Sequence, residues 1–237
     1  NDLEGLVPEQ TGTYTLIVEG RTWTVSNNVA KFDYGFALLR SPDLPPTALT
    51  LGQTLSDSFV VPGQRASYAF SLGEARQLLM DALAPANNQP DIRWTLTGPR
   101  GIEVDGRQLY NSESYELGST SPLLDLIAGD YTLTLDPIND QIGAFAFRLL
   151  DIGAGTVVAV NDLVQGELNP VNETHVYRFS GSTDKLYYLD RQALSGGSAD
   201  WYSWRLFDPY GRQVTGPVSL NDIDLFSLQH NNVYKMI

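Results

Sequence analysis

The sequence predicts an all-β chain built from sandwich modules repeated in tandem, and three observations carry that expectation. Short runs of alternating apolar residues recur at intervals of about 8–15 residues. Gly, Pro, Asn and Asp separate them, the residues that tight turns require. The chain also repeats itself, the sign of a modular architecture. Asn1, Asp2, Leu3, Leu6, Tyr14, Leu16 and Ile17 fall on Asn221, Asp222, Ile223, Phe226, Tyr234, Met236 and Ile237, 220 positions on. Trp94-Thr95-Leu96 with Pro99 and Gly101 returns 110 positions on as Trp204-Arg205-Leu206 with Pro209 and Gly211. Tyr34-Gly35-Phe36-Ala37-Leu38-Leu39 returns 111 positions on as Phe145-Ala146-Phe147-Arg148-Leu149-Leu150. Small drifts in the offset place insertions in loops. The period gives modules of about 110 residues: the C-terminal part of one (1–40), one whole module (41–150) and most of a third (151–237), which lacks its last strand or strands.

The elements follow in order. Tyr14–Val18 and Ala48–Leu51 are short apolar runs with the β-branched and aromatic residues that strands favour. Ser67–Leu72 sets Tyr68, Phe70 and Leu72 on one face of a pleated strand, with Ala69 and Ser71 on the other. Glu74–Leu79 has some helical character, but Gly73 precedes it and its repeat partner Asp184–Leu189 reads as a strand, so it is assigned as strand. Ile92–Leu96 precedes the Pro99/Gly101 turn. Tyr131–Leu135 repeats the alternation of Ser67–Leu72, and Phe145–Leu149 is an aromatic strand. Val157–Val160, Val176–Phe179, Leu186–Leu189 and Ser203–Phe207 continue the series into the last module. Val61-Pro62-Gly63 and Asp208-Pro209-Tyr210-Gly211 supply turns.

Composition narrows the function classes. The 237 residues contain no cysteine, which excludes disulfides, a thiol nucleophile and thiolate metal sites. A net charge of −13 argues against nucleic acid as a partner and leaves carboxylates for cations. No run of about 18 apolar residues occurs, so no membrane-spanning helix is expected. The chain starts inside a module, so any targeting signal is expected upstream.

The middle module presents, in order, Gly52-Gln53-Thr54-Leu55, Pro62-Gly63, Tyr68-Ala69-Phe70, Asp91, Trp94-x-Leu96 with Pro99-x-Gly101, Gly129-Asp130-Tyr131-Thr132-Leu133 and Phe145-Ala146-Phe147. The third module adds Pro170, Tyr177-Arg178-Phe179, Trp204-x-Leu206, Pro209-x-Gly211 and Asn221-Asp222, and the first adds Asn1-Asp2 and Gly12-Thr13-Tyr14. In this order the motifs resemble those of the bacterial pre-peptidase C-terminal domain and the related tandem modules of large secreted bacterial proteins. The resemblance implies jelly-roll-like sandwiches of about eight strands that act as non-catalytic appendages of secreted proteases and surface proteins, some of which bind matrix proteins or calcium. Two departures stand out. The middle module has Ser121-Pro122-Leu123-Leu124 in place of the Asn-Asp pair, and the last has Asn231-Asn232 in place of Gly.

Candidate sites are few. Asp2 with Glu4, and Asp222 with Asp224, set paired carboxylates on one side of an extended segment. They are the candidate calcium ligands, drawing also on Asn1 or Asn221; the alternative is a solvated loop whose Asp caps a turn. Asp81 and Asp190 recur after apolar strands, where a carboxylate accepting backbone N–H groups competes with a ligand role. Among Trp201, Tyr202, Trp204 and Tyr210, the repeat assigns Tyr202 and Trp204 to the core. Trp201 and Tyr210 remain as a ligand-stacking pair, or as rim. His175 and His230, the two histidines, belong to no metal or nucleophile motif, and Asn172-Glu173-Thr174 matches a glycosylation acceptor.

The expected function is therefore a non-catalytic structural or interaction module of a large secreted or cell-surface bacterial protein, part of a fibre, filament or adhesin. It would contact neighbouring modules of its own array or a homopolymer. The alternative is an appendage of a secreted hydrolase that binds protein or glycan, with or without calcium. Residues 1–40 carry the piece that 151–237 lacks, plus a copy of a strand it already has, so they could complement it, in the same chain or a neighbouring one, only through their second part. Continuation of both ends into a longer polypeptide is the simpler expectation, and strand exchange in a filament the bolder one.

Overall fold

The computed structural model describes residues 10–20, 31, 33–38, 45–83, 90–112 and 120–237. Among them the chain is all-β and forms two sandwiches. The strands of the first are β1 (Thr47–Ala48), β2 (Leu55–Phe59), β3 (Ala66–Leu72), β4 (Arg76–Ala82), β5 (Ile92–Gly98), β6 (Gly101–Gln108), β7 (Leu123–Leu126), β8 (Gly129–Pro137) and β9 (Gly143–Asp151). One sheet runs β1-β3-β8-β5-β6 and the facing sheet runs β2-β9-β4-β7. All neighbours are antiparallel except the short β1–β3 pair.

Alternation in the sequence becomes alternation in burial. Along β8, Tyr131, Leu133 and Leu135 point inward while Thr132 and Thr134 are half-buried. In β9, Phe145, Phe147 and Leu149 point inward. The core is aromatic at both ends: Phe59 lies 4.8 Å from Phe145 and Tyr68 5.6 Å from Phe147, ring centre to ring centre, and Phe70 stacks on Tyr131 at 5.1 Å. Trp94 is the largest fully buried side chain; its indole N–H donates to Ser112 Oγ at 2.6 Å, and Ser112 in turn donates to the Gln108 carbonyl. Each such side chain contributes about 1.5–3 kcal/mol by leaving water.

The second sandwich contains β10 (Thr156–Val157), β11 (Tyr177–Ser180), β12 (Leu186–Leu189), β13 (Ser203–Phe207), β14 (Gln213–Ser219), β15 (Ile223–Ser227) and β16 (Val233–Met236). Its larger sheet, β10-β11-β16-β13-β14, has the same order of strands as the β1 sheet. The parallel pairs match in register: Thr47 opposes Tyr68 and Thr156 opposes Tyr177, each residue shifted by 109. The turn before β2 is matched as well, since Gly52 and Asn161, 109 apart, both take positive φ, 78° and 74°. The smaller sheet differs: β12 pairs with β15 alone. Residues 164–168, the counterparts of β2, form no strand, and no described strand lies along the second edge of β12. The core is correspondingly smaller, with Leu206, Leu228 and Tyr234 buried and Phe179, Tyr187, Phe226 and Met236 packed part-exposed around them.

Four sequence expectations change. Tyr14–Val18 is irregular, with Tyr14, Leu16, Ile17 and Val18 exposed, because among the described residues nothing pairs with it. The expected strand at Ala48–Leu51 shrinks to Thr47–Ala48, since Leu51–Gln53 turn. Val157–Val160 stops at Val157 before the turn at Asn161. Trp204 and Tyr202 are half-buried rather than core, with the Trp204 indole donating to the Asn221 carbonyl.

Candidate functional site

The most elaborated polar constellation lies where the two sandwiches meet. Its origin is the double burial of β4. Leu78, Met80 and Ala82 face the first core, yet Leu79 and Asp81, which alternate to the opposite face, are also buried, 1% and 0% exposed. The second sandwich covers that outer face. Asn172 Nδ2 donates to the Ala82 carbonyl at 2.9 Å, Gln77 Nε2 donates to the Tyr210 carbonyl at 3.0 Å, and Lys235 Nζ donates to Gln77 Oε1 at 3.0 Å and to the Pro209 carbonyl at 2.9 Å. Arg205, fully buried, donates to the Thr120 carbonyl at 2.9 Å. Gly211 sits so close to the Gln77 amide that a Cβ there would collide with it, and its φ of 80° also favours glycine.

At the centre of the junction is an ionic chain. The β4–β9 register sets Asp81 opposite Arg148, and the guanidinium donates to Asp81 Oδ2 from Nε at 2.8 Å and from Nη2 at 2.5 Å. Arg148 then reaches across, to the Thr174 carbonyl at 3.2 Å and to Glu173 at 3.3 Å. Glu173 also accepts from the Asn169 amide at 3.1 Å and contacts His175 Nε2 at 2.8 Å; Nδ1 of the same ring meets the Tyr177 hydroxyl at 3.3 Å. Burial pushes the Asp81 carboxyl above the usual range, and Arg148 draws it back only in part. Glu173 behaves oppositely: burial raises it, but the Asn169 amide, His175 and Arg148 together hold it below the usual range. Both nitrogens of His175 are engaged, one by Glu173 and one by the Tyr177 hydroxyl. Chemically, this arrangement neutralises buried charge and fixes one β-sheet face against another.

The groups singled out from the sequence are placed apart from this chain. Asp222 Oδ1 accepts the Arg191 N–H at 2.8 Å, and Asp224 is exposed on β15. Asp2 and Glu4 lie outside the described residues. No group of three or more His, Cys, Asp or Glu side chains is gathered for a metal among the described residues. Trp201 ends a 3-10 turn (Ala199–Trp201) and is 74% exposed. Tyr210, 63% exposed, packs edge-on against His230 at 5.1 Å with the Arg212 guanidinium over its ring at 5.4 Å. Nothing brings Trp201 and Tyr210 together. The equivalence of Asp81 and Asp190 is sequence-deep only: Asp190 is exposed and bonded to Gln192. Asp81 is held by the guanidinium that β9 supplies, and hydrogen bonding from Thr174 also favours its charged form. An open, polar cleft of about 580 Å³ lies between Ser180–Asp184 and Asn231–Val233.

The carboxylate that does organise a turn is Asp208. It is 5% exposed, and Oδ1 accepts the N–H groups of Tyr210 and Arg212, both at 2.9 Å, while Oδ2 accepts from Arg212 Nε at 2.7 Å. Burial raises its pKa, but the Arg212 amide and guanidinium and the Tyr210 amide outweigh that and hold it low. A depressed carboxylate contributes stability above its unfolded pKa of about 4, and that contribution is lost as pH falls through the lower folded value. Asp208→Asn is expected to cost about 1–3 kcal/mol at pH 7, with the gap from wild type closing in acid. Urea titrations of the two proteins across pH 2–7 (roughly the carboxylate range) measure this.

No family model matches the sequence, and no curated protein matches it. Among solved structures, the chain is similar to the pre-peptidase C-terminal domain of collagenase from Bacillus anthracis, at 14% identity and a TM-score of 0.32, over 46% of this chain and 99% of that one. No helix among the described residues is long and apolar enough to cross a membrane.

Proposed function

We propose that this chain is a non-catalytic structural and interaction unit of a secreted or cell-surface bacterial protein, in which successive sandwiches are locked face to face into an array such as a fibre or adhesin stalk. The observation that supports this best is the junction: β4 buries its outer face and an Asp81–Arg148–Glu173 chain against the next sandwich, which a flexibly tethered appendage does not need. The matched registers of the two larger sheets, 109 positions apart, support a stackable unit whose contacts run between neighbours. A net charge of −13 favours solubility of such a unit. NMR relaxation tests the reading. One shared correlation time for both sandwiches is expected, and two independent ones would overturn it.

Calcium decides against or for the acidic loops separately. Thermal unfolding is expected to give the same Tm in excess calcium and in chelator, since Asp222 already accepts a backbone amide, Asp224 is exposed, and no group of three or more metal-ligating side chains is gathered among the described residues. A calcium-dependent rise, abolished in Asp222→Asn, would assign a cation site there.

A further inference from the structure

Where the two sandwiches meet, an amine, a carboxamide and a carboxylate stand in a row. Gln77 lies on β4, between β9 and β7, and Lys235 lies on β16, between β11 and β13, so each is carried by an inner strand of its sheet. Their parity aims them at each other. Leu78, next to Gln77, belongs to the first core, and Tyr234, next to Lys235, belongs to the second. Lys235 Nζ donates to Gln77 Oε1 at 3.0 Å. Asp125 opposes Gln77 in the β4–β7 register, and its Oδ1 accepts from Gln77 Nε2 at 2.7 Å. The Tyr210 carbonyl also accepts from Nε2, at 3.0 Å. Two acceptors at Nε2 and a donor at Oε1 fix which way round the amide stands.

The row has the parts of an amide exchange. Among the described residues, Lys235 Nζ donates only to neutral oxygens, Gln77 Oε1 and the Pro209 carbonyl at 2.9 Å. Burial pushes its pKa below the usual lysine range, only partly offset by the charges of Asp208, Asp125 and Asp151. A desolvated lysine gives up its proton more readily, and the neutral amine is the nucleophile. The carbonyl carbon of Gln77 is one bond beyond the Nζ contact. The nitrogen that has to depart is hydrogen-bonded to a carboxylate that can carry a proton. All three side chains line one open cleft of about 510 Å³, which gives departing ammonia a way out to water.

We infer that Gln77 and Lys235 form an intramolecular isopeptide bond, with Asp125 as the proton carrier. The Nζ lone pair adds to Cδ of Gln77 and the carbonyl π electrons move to Oε1. Asp125 takes up the proton that Nζ gives up, by way of water in the open cleft, and delivers it to Nε2. The carbonyl then re-forms, the Cδ–Nε2 bond breaks with its electron pair going to nitrogen, and ammonia leaves. One secondary amide and one ammonia result, and nothing is oxidised or reduced. The inference rests on the locked-junction reading above and makes that lock covalent, between positions 158 apart in the chain.

Intact mass spectrometry of the folded 237-residue chain tests this. The wild type is expected to be lighter than its sequence by one ammonia, and protease digestion is expected to give a branched peptide that joins the Gln77 and Lys235 segments. Lys235→Arg and Gln77→Ala are expected to restore the full mass. In a time course started by cell-free synthesis, Asp125→Asn is expected to form the bond at least about 100-fold more slowly. A wild type that keeps its full mass on prolonged incubation, an ammonia loss that survives in Lys235→Arg, or a wild-type rate in Asp125→Asn would overturn the inference. A full-mass wild type with one shared correlation time would leave the junction reading standing, whereas two independent correlation times would remove that reading itself, so the two failures are distinguishable.

Discussion

Arg148→Met is expected to lower the stability of the chain at pH 7 by about 3–5 kcal/mol, the cost of leaving one member of a buried ion pair without its partner. Asp81 is fully buried and its Oδ2 takes two N–H groups from this one guanidinium. Without it the carboxylate either stays charged while buried or takes up a proton. Its pKa is already raised by burial and rises further once Arg148 no longer opposes that. A carboxyl whose folded pKa lies above its unfolded value favours folding below the unfolded pKa, and that advantage is lost as pH rises through the folded pKa. The penalty of Arg148→Met is therefore largest at neutral pH and shrinks as pH falls toward about 4. Equilibrium denaturation of the variant at pH 4 and pH 7 checks the sign; a penalty that is independent of pH would mean that Asp81 does not depend on Arg148. Asp81→Asn is expected to cost less, because Arg148 keeps Glu173 and the Thr174 carbonyl.

Phe147→Ala is expected to cost about 3–5 kcal/mol, since its ring is fully buried and the site cannot collapse around the lost volume. The ring sits in the central strand of its sheet, between β2 and β4, against Tyr68 at 5.6 Å and Phe145 at 6.5 Å. A ring deletion in the smaller sheet of the second sandwich, Phe226→Ala, is expected to cost roughly 1–2 kcal/mol, because that ring is part-exposed and pairs only loosely with Tyr187 at 6.1 Å. Differential scanning calorimetry of both variants measures this. Equal losses would contradict a closed first core beside an open second one.

Much of the fold is legible in the sequence wherever burial follows a period of two. Ser67–Leu72, Tyr131–Leu135 and Phe145–Leu149 each alternate, and each is an inner strand of a sheet. Strands that face water or end a sheet are harder to see. β6 carries Glu103, Asp105 and Arg107, and β14 contains Gly216-Pro217, tolerated because it is an edge strand. Tyr14–Val18 shows the reverse: the pattern is present, but a strand needs a neighbour and none of the described residues provides one. The junction was half-visible. Asp81 stands out as a polar residue after an apolar strand, yet its partner is 67 residues away and becomes visible only through the β4–β9 register. Leu79 reads as ordinary core from sequence; that it is buried against a second sandwich follows from its parity, opposite to that of Leu78 and Met80.

Hydrogen exchange on the dilute chain tests most directly the claim that a closed sandwich stands beside an open one. The slowest amides are expected in β3, β4, β5, β8 and β9, where exchange requires global unfolding of the first sandwich, while those of β12 exchange far faster through the edge along which no described strand lies. Protection of β12 equal to that of β4 in a dilute monomer would contradict the account.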